Sequence, residues 1–448
     1  MAARFGDGPE NARADAGEAY VIFGAPGPPG DVDLANGEQD LTVWGAAPGD
    51  NLGFEAAAAD VNDDGIDDIL LTALFAAAPN DSRAGVGAVY VMFGSKRLGG
   101  SVDLAKDSPD VILVGDGSGS LFGDSLATGD VNGDGITDVM VGATFQAHSS
   151  GAEPAPVSGG ATYLLHGRRD WPSILEMANK EYDAAIFGAG DFDELGDTVA
   201  SGDINGDGLD DIIVTAEAAD GPNDTRPVAA EVYAVFGSPQ LSGDLEVSSG
   251  DQDLTILGAD SQDTLGFDLA SGDLNGDGID DLVMAARLDD GPSNALNRVG
   301  ALYILFGNKE LPGQIDLAQQ PETIATLYGV DAADTMGNLA IGDTQLDGKN
   351  ELLVGIAFGD GPGNSRFDGG EVYVLDASGA AGLASLADHR PLIAVFGAQA
   401  EERLGSAMAV ADINGDARPE LLIMAADANG PQGSRAGAGR VYILSLDQ

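Results

Sequence analysis

One phrase recurs along this 448-residue chain: DVNDDGIDD from Asp60, DVNGDGITD from Asp130, DINGDGLDD from Asp203 and DLNGDGIDD from Asp273. Weaker copies follow, DTQLDGKNE from Asp343 and DINGDARPE from Asp412, and the steps are 70, 73, 70, 70 and 69 residues. A second phrase keeps the same beat, as in GEAYVIFG, GAVYVMFG and GALYILFG, and occurs seven times. A third is a short apolar run ending in glycine, as in LTVWG to Gly45, VILVG to Gly115 and LTILG to Gly258. Such periodicity overrides any domain count based on length, because each unit is one supersecondary element that buries its apolar face against its neighbours.

Within a unit the apolar runs are four to eight residues long, rich in β-branched and aromatic residues, and bounded by Asp, Gly, Pro and Asn. That is the signature of strands. Each unit therefore reads as four short strands, A to D, with the acidic phrase between A and B. Tandem four-stranded units predict an all-β, seven-bladed β-propeller forming a single domain over residues 1–448. The approximate repeats are 1–45 (partial), 46–115, 116–188, 189–258, 259–329, 330–397 and 398–448. Residues 1–24 align with 284–307, so Met1 falls at the end of a strand B, and the C-terminus stops after a strand C. The expectation is an N-terminally truncated first blade, with the last blade closed by an N-terminal strand D. The alternative is a six-bladed ring in which residues 41–45 complete the last blade. A segment near Trp171–Asn179 has some helical character and is expected to be a loop insertion in the longest repeat.

The acidic phrase carries the chemistry. In D-x-N-x-D-G-x-x-D a curled loop aims alternate oxygens inward, the Gly at position six permits the sharp turn, and the donor set suits a hard cation such as Ca²⁺. The expected ligands are Asp60, Asn62, Asp64, the Ile66 carbonyl and Asp68 in the first loop, and Asp130, Asn132, Asp134, Ile136 and Asp138 in the second. The third and fourth use Asp203, Asn205, Asp207, Leu209 and Asp211, then Asp273, Asn275, Asp277, Ile279 and Asp281. Two degenerate sites follow. Asp343, Gln345, Asp347, Lys349 and Glu351 place a lysine inside the loop. Asp412, Asn414, Asp416, Arg418 and Glu420 have Ala417 in place of the glycine. A helical EF-hand is rejected, because position 12 is Leu71, Val141, Val214 and Met284 rather than Glu, and the flanks are strands. The competing reading of the phrase as a bare turn is disfavoured by four near-identical copies in register, whose crowded carboxylates would repel one another without a cation.

The chain carries 74 acidic against 20 basic residues, a formal charge of -54, and no cysteine. That excludes phosphate-backbone binding, disulfide scaffolds and thiol chemistry. Most of the acidity lies outside the loops and reads as a solubility or salt adaptation. No apolar run approaches the ~18 residues of a membrane span, and no signal-peptide pattern opens the sequence. Catalytic motifs such as G-x-S-x-G, H-E-x-x-H and the phosphate loop are absent, so no enzyme activity is expected. His166, in the place of a Phe at the end of a strand C, reads as a half-buried structural residue, while His148 and His389 read as solvated. Trp44 is expected in the core, and Trp171 in the insertion is the better ligand-stacking candidate. Arg83, Arg226, Arg298, Arg366 and Arg435 read as one repeat position, each pairing with a nearby Asp to hold its loop.

The unit LGFDLASGDLNGDGIDDLVMAA…GALYILFG resembles the FG-GAP repeat, the blade of the integrin alpha-subunit propeller and of bacterial surface proteins. The FG dipeptide corresponds to Phe122–Gly123 or Leu265–Gly266, and the GAP position is replaced by VGATF at Val141 and MAARL at Met284. The resemblance implies seven blades, Ca²⁺ in the A–B hairpin loops, and an extracellular or cell-surface setting. It also implies a role in adhesion or in binding a protein or glycan ligand. The alternative is an accessory or catalytic propeller of a secreted carbohydrate- or lipid-acting enzyme.

Overall fold

The computed structural model describes residues 1–27, 30–79, 83–96, 98–148, 158–222, 225–379, 385–430 and 433–446. Seven antiparallel sheets follow one another along the chain. Blade 1 holds β1 (Ala2–Ala3), β2 (Glu18–Val21) and β3 (Leu41–Trp44). Blade 2 holds β4 (Leu52–Ala59), β5 (Asp68–Ala73), β6 (Ala88–Met92) and, after β7 (Gly100–Asp103), β8 (Val111–Val114). Blade 3 holds β9 (Phe122–Gly129), β10 (Asp138–Ala143), β11 (Ala161–Leu165) and, after β12 (Ile174–Glu176), β13 (Ala184–Phe187). Blade 4 holds β14 (Leu195–Gly202), β15 (Asp211–Ala216), β16 (Glu231–Val235) and, after β17 (Gly243–Glu246), β18 (Leu254–Leu257). Blade 5 holds β19 (Leu265–Gly272), β20 (Asp281–Ala286), β21 (Ala301–Leu305) and, after β22 (Gln314–Asp316), β23 (Ile324–Tyr328). Blade 6 holds β24 (Asn338–Gly342), β25 (Glu351–Ile356), β26 (Glu371–Leu375) and β27 (Ile393–Phe396). Blade 7 holds β28 (Leu404–Ala411), β29 (Glu420–Ala425) and β30 (Arg440–Ser445).

The chain is thus an all-β, seven-bladed propeller. Residues 41–44 pair with Glu18–Val21 of their own blade, which rules out the six-bladed ring in which they complete the last one. The first strands of blades 2 to 7 contact one another in succession, so they form the inner wall around the axis. Buried apolar clusters fill the spaces between consecutive blades, from blades 1 and 2 through to blades 6 and 7. One such space joins Leu70, Val89 and Val111 to Phe122, Val139 and Tyr163. A fully buried Val, Leu or Ile contributes about 1.5–3 kcal/mol, so these clusters hold the ring together.

The glycine of the FG position explains its recurrence. Gly196 has φ 97 and Gly266 has φ 78, a conformation open to glycine. A Cβ on Gly196 would fall 2.4 Å from the Ala161 carbonyl oxygen of the preceding blade, and one on Gly266 would fall 2.3 Å from Thr215 Oγ1. The dipeptide therefore marks close approach between blades, at the irregularity in the A–B register.

A fifth strand, unforeseen from the sequence, links neighbours. The connection from C to D in one blade lays a short strand parallel to the D strand of the blade before it: β7 on β3, β12 on β8, β17 on β13 and β22 on β18. Residues 174–179 are part of this device, a strand followed by a 3-10 turn, as are 243–249 and 314–319. The supposed insertion near Trp171 is thus corrected. Trp171 occupies the place of Leu98, Leu241 and Leu311, and the extra length of that repeat lies between β10 and β11, part of it outside the described residues. The Trp171 ring packs against the core of blades 2 and 3, donates from Nε1 to the Val61 carbonyl at 2.9 Å, and lies under the Arg168 guanidinium. Those contacts make it structural.

Candidate metal centres

Each acidic loop joins an inner strand to the next one outward. In the first loop Asp60 accepts the backbone N–H groups of Asp64 (3.1 Å) and Gly65 (2.7 Å), and Asp64 accepts that of Ile66 (2.9 Å). Asp68 has no exposed surface and accepts Val61 N–H, Asn62 Nδ2 and, from beyond strand C, Gly94 N–H at 2.7 Å. Asp138, Asp211 and Asp281 repeat this arrangement in their own loops. Alternate aspartates thus bend the backbone so that the first, fifth and ninth carboxylates belong to one small loop.

Burial pushes the ninth-position carboxyls up, to about 6 for Asp68 and Asp138 and about 7 for Asp211 and Asp281. The charges of their own loop-mates, Asp60 and Asp64 in the first case and Asp203 and Asp207 in the third, add to the rise. Among the described residues no group of three or more His, Asp or Glu side chains is gathered closely enough to hold a metal by carboxylate and imidazole alone. The loops carry instead carboxylate and amide oxygens beside an acid whose ionisation burial opposes first and its neighbours second. That donor set fits a hard divalent cation, which relieves the repulsion.

The two degenerate loops keep the same backbone course. Glu351 reaches Thr344 N–H (2.8 Å) and Gln345 Nε2 (3.0 Å), and Glu420 reaches Ile413 N–H (3.1 Å) and Asn414 Nδ2 (2.7 Å). Lys349 and Arg418 donate their backbone N–H groups to Asp347 and Asp416. Ala417 adopts φ 65, where the other loops have Gly65, Gly135, Gly208, Gly278 and Gly348.

Position eight of the loop was not singled out as functional, yet it couples neighbours. Asp210 N–H donates to the Asp130 carbonyl (3.1 Å) and its carboxylate accepts Asp130 N–H (2.7 Å), while Asp280 does the same to Asp203. The recurrence of Asp67, Asp210 and Asp280 at that position was the signal. A second acidic group was also missed. Glu55, Asp124, Asp197 and Asp268 lie on the inner strands of four blades. Burial pushes Glu55 up to about 7, Asp268 to about 7 and Asp197 to about 8. Asp268 and Asp124 reinforce the rise at Glu55, and Glu217, Asp124 and Glu194 that at Asp197.

Three of the five arginines pair with an acid, as expected, but across blades. Arg83 meets Glu176 (2.5 Å), Arg226 meets Asp316 (2.8 Å) and Arg435 meets Asp33 (2.6 Å). These acids come from the following blade, not from the arginine's own loop. Arg13, unremarked in the sequence, belongs to the same set and meets Asp103 at 2.6 Å. Arg366 donates to the Gly397 carbonyl instead, and Arg298 stands two residues out of register, with Leu296 in the arginine's place. His148 is not a solvated residue: its Nε2 lies 2.7 Å from Glu246 and its ring stacks on Phe187 at 3.6 Å, so it serves blade 3 as arginine serves the others. His166 is half-buried, Trp44 is partly buried beside Asp103, and His389 ends a short 3-10 turn.

The FG-GAP repeat model matches residues 122–165, 195–230, 265–305 and 404–444, which are strands A and B, with strand C or its approach, of blades 3, 4, 5 and 7. Human phosphatidylinositol-glycan-specific phospholipase D is 27% identical over 415 residues, 88% of this chain and 46% of that protein. The bovine counterpart is 32% identical over 41% of this chain and 20% of its own length. Integrin alpha-PS5 of Drosophila melanogaster is 32% identical over 38% of this chain and 15% of the integrin. The chain spans less than half the length of these relatives. The exotype rhamnogalacturonan lyase YesX superposes over 96% of this chain and 59% of its own with a TM-score of 0.41 at 10% identity. No described helix is long and apolar enough to cross a membrane. Matched repeats, blade count and inter-blade glycines agree: the chain carries FG-GAP repeats in a seven-bladed β-propeller and is similar in sequence to integrin alpha subunits.

Proposed function

We propose that this chain is a calcium-stiffened, extracellular binding platform for a protein or glycan ligand. The observation that carries the reading is the fourfold recurrence of a buried ninth-position aspartate that accepts its own loop's backbone N–H and whose ionisation is opposed by burial first and by its loop-mates second. A cation held by the loop oxygens supplies the missing positive charge, keeps that aspartate ionised and fixes one end of each blade. Position-eight contacts pass this order from loop to loop. The ligand then docks on the opposite face, where the B–C and D–A connections expose Phe5, Phe75, Phe145, Phe192 and Phe367. Extracellular modules hold Ca²⁺ with dissociation constants of about 10⁻⁴–10⁻³ M, which matches loops open to solvent on one side. The test is thermal melting in EGTA and in millimolar Ca²⁺. A higher melting temperature with Ca²⁺ supports the reading, and equal temperatures refute it.

A second reading is favoured by one observation, the similarity along 88% of the chain to a protein named as a phospholipase D. In that reading the propeller is the accessory module of a lipid-acting enzyme. The isolated chain then binds phosphatidylinositol-glycan substrates without cleaving them, and cleavage by the chain itself would make the propeller catalytic.

A further inference from the structure

We infer that the second, third and fourth acidic loops bind their cations as one cooperative unit, and that the first loop binds alone. The inference deepens the calcium reading and rests on it. Within these loops Asp130, Asp203 and Asp273 stand at position one, and Asp138, Asp211 and Asp281 at position nine. Three contacts tie the third loop to the second and the fourth to the third. First, the position-eight aspartate holds both the N–H and the carbonyl of the earlier loop's first aspartate. Asp210 donates its N–H to the Asp130 carbonyl (3.1 Å) and accepts Asp130 N–H (2.7 Å), and Asp280 does the same to Asp203 (3.0 and 3.2 Å). Second, a hydroxyl two residues before position one reaches the carbonyl at the same place in the preceding blade. Ser201 donates to the Thr128 carbonyl (2.8 Å) and Ser271 to that of Ser201. Third, the position-seven side chain lies on the earlier loop's position-four glycine, so that a Cβ on Gly133 would strike Leu209 and one on Gly206 would strike Ile279.

This wiring stops on both sides. The second loop has Thr137 at position eight, and the first has Asp63 at position four, where Arg169 engages it. Among the described residues neither Thr137 nor Thr128 makes a hydrogen bond to the first loop. The fifth loop leans on the fourth through Asn350 N–H, which donates to the Asp273 carbonyl (2.9 Å), and through the Lys349 stem over Gly276. It has Ile341 in the place of the hydroxyl, however, and is one of the degenerate loops. The sixth has Pro419 at position eight, with no N–H to give. Asp210 and Asp211 are consecutive, so one carboxylate serves its own loop while its neighbour holds the loop before. Ordering the third loop therefore fixes the backbone of Asp130. A loop whose neighbour is already ordered gives up less conformational freedom when it binds, and the resulting coupling acts equally in both directions. The first loop lacks these contacts and gains nothing from its neighbour.

The test is hydrogen exchange of the full chain, read loop by loop by mass spectrometry across a Ca²⁺ titration that starts in EGTA. Protection of residues 130–138, 203–211 and 273–281 should rise at one midpoint with a Hill coefficient of about 2, while residues 60–68 follow their own curve with a coefficient of about 1. Asp211→Asn takes a carboxylate from the third loop alone. It should raise the midpoints of the second and fourth loops at least about fivefold and leave that of the first unchanged. Asp210→Thr puts at position eight of the third loop the residue type that Thr137 supplies in the second. It should raise the midpoint of the second loop about fivefold and leave the third and fourth rising together. Four independent curves, a first loop that moves with the others, unmoved second and fourth loops in Asp211→Asn, or an unmoved second loop in Asp210→Thr would each overturn the inference and leave the calcium reading standing. No protection of any loop at millimolar Ca²⁺ would overturn both.

Discussion

Arg435 and Asp33 stand 402 positions apart in the chain, and their side chains meet at 2.6 Å. The contact closes the ring, helped by the packing of Gly24, where a Cβ would fall 2.4 Å from the Ile413 carbonyl oxygen. It repeats the Arg13–Asp103 latch between blades 1 and 2, but in a wetter setting: the side chains are 37% and 26% exposed at the seam against 14% and 8% at Arg13 and Asp103. Solvent screening therefore ranks the two. Arg435→Ala should cost about 0.2–1 kcal/mol, and Arg13→Ala, which also strips a hydrogen bond from the Ala46 carbonyl, about 1.5–3 kcal/mol. Urea unfolding of both variants checks the order, and a larger loss at Arg435 would contradict it.

The metal reading predicts a stoichiometry as well as a stabilisation. Calorimetric titration of chelated protein with Ca²⁺ should find about four ions in the main binding phase, from the loops starting at Asp60, Asp130, Asp203 and Asp273. Asp211→Asn should remove one of them. A bound ion at a hundred times its dissociation constant stabilises the fold by about 2.7 kcal/mol per independent site, so this variant should melt below wild type in Ca²⁺ and differ little in chelator. A variant that loses no ion would move the centre away from Asp211.

Ala417 offers a test that needs no metal. It holds φ 65 where five other loops have glycine, and its N–H still donates to Asp412 at 2.8 Å. Left-handed backbone costs a residue with a Cβ roughly 1–2 kcal/mol. Ala417→Gly relieves that strain but loosens the unfolded chain, so a net gain of about 0.5–1 kcal/mol is expected. The reciprocal change, Gly278→Ala, should destabilise by a similar amount. Chemical denaturation of the two variants with opposite signs would confirm that the sixth glycine serves backbone geometry.

Blade count, strand order and the position of the acidic loops were legible because each repeats with a period near 70 residues and because strands B and C are continuous apolar runs. The outer strands were not, since β12 and β22 are three residues long and partly polar, with no alternation to betray them. For the same reason the acid that each arginine meets could be expected but not named: Glu176 and Asp316 end unseen strands of the next blade. His148 escaped as a latch because imidazole replaces guanidinium in the one repeat whose B–C connection is longer. The inner acids Glu55, Asp124, Asp197 and Asp268 were lost among 74 carboxylates, and only the ring brings them to a common wall.

Those inner acids share the pH dependence with the ninth-position aspartates of the loops, which are pushed up to about 6–7. Burial first, and then the neighbouring charges of Glu217, Asp124 and Glu194, hold Asp197 at about 8, and Glu55 and Asp268 are at about 7. In the unfolded chain such groups ionise near 4. Between about pH 4 and 8 the native state therefore binds more protons than the unfolded state, so the slope of unfolding free energy against pH is negative. In chelator, the protein should melt several degrees higher at pH 5.5 than at pH 8. General repulsion among surface carboxylates acts in the same direction, and substitution separates the two. Asp268 accepts Leu339 N–H (2.8 Å) and Leu269 N–H (2.9 Å), and Asp268→Asn keeps an acceptor oxygen while removing the ionisation. Asp268→Asn together with Asp197→Asn should make the fall in melting temperature between pH 5.5 and 8 shallower and raise the melting temperature most at the alkaline end. A double variant with the wild-type slope would assign the pH dependence to the loop aspartates and the surface instead.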